Sequence, residues 1–304
     1  MLPTRDLCFV LAVLTLGVLA AAQQAAPPTA APRPAPRDDS AAEQLGWRLA
    51  LQAWTFRDRT AFEAIDTAAA LGLKYIELYP GQRLGKDFAD AKVAIDMPKE
   101  QLAALVQKLA NAGIKVTNFG VVNIGKDEVA ARKLFAFGKA LGLETLSCEP
   151  DLDAWDTVEK LCEEFKLNAA CHDHPKPSTY WNPDTVLAAV KGRSKRLGAC
   201  ADTGHWPRSG LVAIDCLKQL EGRIISLHFK DIRPADNSGI DQPWGSGSND
   251  ARGMLTELRR QGFRGVIAIE YETGAGKELE ANVARCIAFF DQVAAETVAN
   301  KPAK

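Results

Sequence analysis

Four side chains able to bind a cation or move a proton stand near the ends of four short apolar runs. They are Glu149 in TLSCEP, Asp202 in LGACADTGHW, His228 in IISLHFKD and Glu270 in GVIAIEYE. Carboxylate oxygens with one imidazole suit a single hard or borderline divalent cation of the Mn, Co, Mg or Zn type. They match poorly the thiolate-rich sets that hold structural zinc. A metal in such a site grips the oxygens of a diol or hydroxyketone and favours an enediolate when the neighbouring carbon loses its proton. Glu149 and Glu270, flanking that carbon, are the expected pair to remove the proton on one side and return one on the other.

Other polar residues point to the same place. The chain has only four histidines, His172, His174, His205 and His228, and all fall at or just beyond the ends of predicted strands five to seven. His174 and His205 are suited to orient a substrate hydroxyl or to hydrogen-bond a ligand side chain. Lys230 has two readings, neutralising an oxyanion or pairing with an adjacent carboxylate. Gln52 and Trp54 on the first predicted strand and Glu77 on the second are expected to face the same mouth. Trp54 reads as a wall for a sugar ring or as a core aromatic, with Trp181 and Trp206 as weaker candidates for the same role.

Side chains so far apart in sequence meet only if the fold gathers strand ends. From residue 49 the chain alternates strand-like and helix-like segments. Strands are predicted at 49–56, 75–80, 116–122, 145–150, 168–174, 197–206, 224–231 and 265–272. Amphipathic runs such as 62–72, 99–113 and 130–142 separate them, and Gly72, Gly113, Gly142 and Gly265 stand where helices give way to strands. Eight such units predict parallel strands closed into a single (β/α)8 TIM barrel, whose active sites lie at the C-terminal strand ends. An open doubly wound sheet would carry a glycine-rich phosphate loop after its first strand, where this chain has RDRTAFEA. Long connections at 81–97 and 232–249 leave strand ends and read as substrate-covering loops.

The predicted domain layout is a signal peptide at 1–22, a disordered Ala/Pro-rich linker at 23–44, the barrel at 45–298 and a tail at 299–304. MLPTR, an apolar stretch and Ala20-Ala21-Ala22 carry the export pattern, and the apolar run is short for a membrane span. A periplasmic or secreted protein without stable membrane insertion after cleavage is therefore expected. The six cysteines beyond the leader lie singly in apolar segments and read mostly as small core residues. A net charge of −1 argues against a nucleic-acid partner. The pattern leaves a homo-oligomer open.

The stretches LQAWTFRD, IELYPG, ACHDHPK, ACADTGHW, RIISLHFKDI and GVIAIEYE together resemble the xylose isomerase-like sugar phosphate isomerase/epimerase superfamily, over about residues 47–296. Members such as tagatose epimerases and inosose dehydratases have a Glu-Asp-His-Glu metal site. The resemblance implies that this set falls on Glu149 or the strand-five position, then Asp202, His228 and Glu270. Ketose epimerases have a Glu on strand five, where this chain has Cys-His-Asp-His. In dehydratase-like members strand five is His-rich, which leaves His172 or His174 as acid/base groups and His172 otherwise as a substrate contact. The resemblance, with the export pattern, implies a metal-dependent isomerase or epimerase of an unphosphorylated carbohydrate or keto-sugar. A lyase or dehydratase of a keto-sugar, keto-glycoside or inosose is the alternative. A sugar-binding barrel or an endonuclease IV-like nuclease fits less well.

Overall fold

The computed structural model describes residues 37–300, so the expected signal peptide and most of the expected linker lie outside the described residues. In chain order the barrel strands are β1 (Trp47–Gln52), β2 (Tyr75–Leu78), β3 (Lys115–Ile124), β4 (Thr145–Pro150), β5 (Asn168–His172), β6 (Leu197–Asp202), β7 (Ile224–Phe229) and β10 (Gly265–Ile269). They close in the cyclic order β1-β10-β7-β6-β5-β4-β3-β2, every pairing parallel. This is the predicted (β/α)8 TIM barrel. A hairpin of β8 (Asp231–Arg233) and β9 (Ile240–Gln242) stands apart in the connection after β7.

The connecting helices are α2 (Ala61–Ala70), α3 (Lys99–Ala112), α4 (Glu128–Leu141), α5 (Trp155–Phe165), α6 (Pro183–Val190), the pair α7 (His205–Arg208) and α8 (Ala213–Gln219), α9 (Ala251–Arg260) and α10 (Gly276–Ala299). Local sequence sets their ends. Thr60 and Glu63 form a reciprocal capping box at the start of α2, and Asp127 caps α4. Gly113 and Gly142 follow α3 and α4 at φ 69° and 82°, the left-handed conformation that an L side chain resists. Gly265 differs from expectation. It is the first residue of β10, and Gly262 at φ 66° makes the turn instead.

The large core lies between barrel and helices, where Leu49, Leu51, Phe119, Phe135, Phe229, Ile267 and Phe290 are fully buried. Inside the barrel a second, small cluster of Ala50, Val266 and Ala268 packs against Tyr75. Small residues there leave the upper interior to polar groups. Register then decides which of these meet: Gln52 lies beside Glu77, Asp202 beside His228, and His228 beside Ala268.

Six strands stop earlier than predicted, at Gln52, Leu78, His172, Asp202, Phe229 and Ile269. Trp54 lies in a 3-10 turn (Ala53–Phe56), and His205 opens α7. The polar residues beyond these ends bond to neighbouring loops, so the ladder ends where the site begins. The expected linker also ends earlier than residue 44. Residues Ser40–Leu45 form α1, with Ala42 and Leu45 buried, and Arg37 donates to Asp291 of α10 at 2.9 and 2.6 Å. The six cysteines among the described residues are buried and unpaired. No helix among the described residues is long and apolar enough to cross a membrane.

Candidate metal centre and active site

All four imidazoles gather at the C-terminal ends of β5, β6 and β7. The His172 ring centroid is 4.5 Å from that of His174, 4.9 Å from His228 and 5.7 Å from His205. His172 is the hub. Its Nε2 faces Asp202 Oδ2 at 3.5 Å, and its Nδ1 faces Glu149 Oε1 at 3.5 Å.

The expected quartet divides. Asp202, His228 and Glu270 converge, all buried, but the fourth member of their group is His172, and the donor atoms of these four lie within 4.8 Å of one another. Glu149 belongs to an adjoining group with His172 and His174. The reason is strand position. Glu149 of β4 is separated from Asp202 of β6 by the whole of β5, whose inward-facing terminal residue is His172.

The buried group fits a divalent ion. Both ring nitrogens of His172, and Nδ1 of His228, are buried without a well-formed hydrogen bond. An unsatisfied buried polar atom is costly, and four N and O donors this close together remove that cost by sharing a cation. Two imidazoles and two carboxylates suit Zn, Co or Mn better than Mg.

Lys230 takes the second of its two readings. Its ammonium, fully buried, donates to Asp202 Oδ2 at 2.8 Å and lies 2.7 Å from Glu270 Oε2 and 2.9 Å from Glu272 Oε2. Burial opposes that charge, but Asp202, Glu270 and Glu272 outweigh it and raise the Lys230 pKa well above its usual value. Burial also pushes the Glu270 carboxyl up, and Lys230 and His228 hold it below the usual carboxylate range. For His172, burial opposes protonation, while Asp202 and Glu149 lift the pKa to about 10.

At the rim, His174 is exposed and its Nδ1 is hydrogen-bonded to Glu149 Oε1. Ser178 Oγ donates to Glu149 Oε2 at 3.3 Å. Burial alone would raise the Glu149 pKa, but His172 and His174 bring it well below the usual range. His205 is buried, accepts from Arg208 Nη1 at Nδ1 (3.1 Å), and is kept well below the usual imidazole pKa, chiefly by burial.

His172, His174, His205, Glu270 and Glu272 border one cavity of about 460 Å³, whose lining also includes Gln52, Trp54 and Tyr79. Trp54 stands edge-on to Tyr79, ring centroids 5.0 Å apart, and its indole N–H donates to Glu272 Oε1 at 3.2 Å. Trp54 is therefore a cavity wall, whereas Trp206 is buried in the core. Gln52 Oε1 accepts from the Trp54 backbone N–H at 3.0 Å. Glu77 departs from expectation: it is fully buried beside His228, and does not line the cavity. At the end of β2, its inward face points under the mouth.

Sequence reasoning missed several supporting groups. Asp173 Oδ1 accepts the Asp202 N–H at 2.8 Å. Burial and the nearby Asp202 push its pKa well up. Asp231 accepts the N–H groups of Gly245, Gly247 and Asn249, which organises the connection after β7. The turn-rich PWGSGSND stretch was the available signal for this fold-back.

Comparison with known proteins follows the same geometry. Residues 151–293 match the model of the xylose isomerase-like TIM barrel family. A solved structure of an uncharacterized protein from Parabacteroides distasonis is 32% identical, with a TM-score of 0.67 over 81% of this chain and 99% of that one. The chain belongs to the xylose isomerase-like TIM barrel family. Two further members of this fold show how widely the barrel is shared. A D-tagatose 3-epimerase-like protein is 14% identical over 83% of this chain and 99% of its own, with a TM-score of 0.64. The IolI protein, solved with a binding zinc atom, is 17% identical over 82% and 98%, with a TM-score of 0.63. No curated protein matches this xylose isomerase-like chain.

Proposed function

We propose that this chain is a divalent-metal-dependent enzyme that isomerises or epimerises an unphosphorylated carbohydrate or keto-sugar by proton transfer at a carbon next to a carbonyl. The observation that carries this reading is the buried His172, Asp202, His228 and Glu270 group beneath a cavity that His174 also lines. These four residues would hold the ion; the IolI protein, which shares the fold, was solved with a binding zinc atom. The ion when bound supplies a Lewis acid for the substrate's carbonyl and hydroxyl oxygens.

The chain's own groups do the rest. With Nδ1 engaged by Glu149, His174 keeps Nε2 for the substrate proton, and the carboxylate balances the imidazolium that forms. Glu270, three strands away from β5 around the barrel, is the second proton-transfer group that inversion at carbon needs. Trp54 and Tyr79 offer apolar faces to a sugar ring. The export pattern at the N-terminus supports a substrate without phosphate.

A lyase acting on a keto-glycoside is the second reading. An apolar recess of about 390 Å³, walled by Ile95, Phe119 and Leu134, shares Pro80 and Val121 with the cavity and offers room for an apolar aglycone.

Elemental analysis of the purified protein beside His228→Ala tests the metal, with an expected content of about one divalent ion per chain, lost in the variant. Incubation with free keto-sugars in heavy water tests the chemistry. Carbon-bound deuterium in the recovered sugar is expected, and an unsaturated product would select the lyase. No metal after incubation with Mn, Co, Mg and Zn, together with no deuterium uptake, would sink the proposal.

A further inference from the structure

Glu77 is a carboxylate with 0% exposure, placed inside the barrel at the end of β2. Neither of its oxygens has a well-formed hydrogen bond, and its nearest charged neighbour is His228, with Oε2 at 3.0 Å from Nε2. A buried carboxylate with no partner is strongly unfavourable, so this group depends on His228. The other nitrogen of the same ring, Nδ1, faces Glu270 Oε2 at 3.2 Å, on the side of the four-residue donor group.

One neighbour competes for Nε2. The Gln52 amide lies 3.4 Å from it, with the amide turned so that its oxygen accepts from the Trp54 N–H. A Gln52 N–H donating to Nε2 would require that nitrogen to be bare and would place the ring proton on Nδ1, toward the cation position. A bare Nε2 would also set its lone pair against the closer Glu77 oxygen. A carboxylate only accepts, so Glu77 selects the ring with its proton on Nε2 and its lone pair on Nδ1.

Resting on the metal-dependent reading above, we infer that Glu77 is the positioning residue of the centre: it holds the Nε2–H of His228 so that Nδ1 is presented to the ion. Glu77 touches neither substrate nor metal in this arrangement. A carboxylate behind a ligating histidine fixes ring orientation and raises ligand basicity, and losing one costs about 10–100-fold in metal affinity.

The test is Zn(II) affinity, measured by chelator competition on the full chain, for wild type, Glu77→Gln and Glu77→Ala. Both variants are expected to bind about 10–100-fold more weakly, with Gln, which can still accept from Nε2–H, the less impaired. The side-chain nitrogen spectrum of Zn(II)-loaded wild type is the second readout. His228 should show a protonated Nε2 and a coordinated Nδ1, a result that a merely space-filling Glu77 would not require. That spectrum decides the matter even if the variants fail to fold. Wild-type protein that binds Zn(II) through Nε2, or variants that bind as tightly as wild type, would overturn the role of Glu77 and leave the metal centre standing. Wild type that binds no Zn(II) would overturn both.

Discussion

His174→Ala should lower turnover by about 10²–10⁴-fold while the protein keeps its wild-type metal content. The separation of the two readouts follows from geometry. His174 lies outside the buried group of His172, Asp202, His228 and Glu270, yet it lines the same cavity. Its Nδ1 is committed to Glu149, which leaves Nε2 as the nitrogen for proton transfer. Glu149→Gln should reduce turnover by a smaller factor, because an amide can still orient the ring but cannot balance its charge. The two effects should not add, since both act through one imidazole. Loss of metal in His174→Ala would instead show that Glu149, His172 and His174 hold the ion, and would remove the acid/base role. Parallel metal analysis and deuterium-exchange rates decide between these outcomes.

How far this arrangement was legible in the sequence depends on what each residue answers to. Strand and helix alternation is a property of local periodicity, so the barrel and its eight strand segments could be read directly. The clustering of His172, His174, His205 and His228 was legible too, because a barrel brings every strand end to one face. The partition of the acids was not. Whether Glu149 or His172 stands beside Asp202 depends on which strand lies between them and on which face each terminal residue occupies. Motif resemblance left both choices open. Glu77 was misplaced for a related reason. Alternation correctly turned it inward but did not show which group covers it: Glu77 is level with Gln52, which lines the cavity, yet its carboxylate is fully buried against His228, 3.0 Å from Nε2. Asp173 and Asp231 bond to backbone N–H groups of distant segments, contacts that no local pattern encodes.

Lys230→Met should destabilise the metal-free protein by about 3–5 kcal/mol, the usual cost of removing one member of a buried ionic group. Three carboxylates, Asp202, Glu270 and Glu272, lie within 2.9 Å of this one ammonium. With the ammonium gone, two of them, Asp202 and Glu270, keep their negative charges buried beside His172 and His228, and Glu77 adds a third carboxylate on the far side of the His228 ring. A divalent cation bound by the four-residue group would reach two of the same carboxylates and supply twice the charge. Metal should therefore restore much of the lost stability, and the variant should bind it more tightly than wild type, where the ammonium competes for Asp202 and Glu270. At a free ion concentration of about 100 times Kd, binding alone adds about 2.7 kcal/mol to either protein. Urea unfolding with EDTA and with saturating Zn(II) or Mn(II) measures both terms. A variant that is equally destabilised with and without metal would mean that the ammonium, rather than an ion, completes this charge cluster.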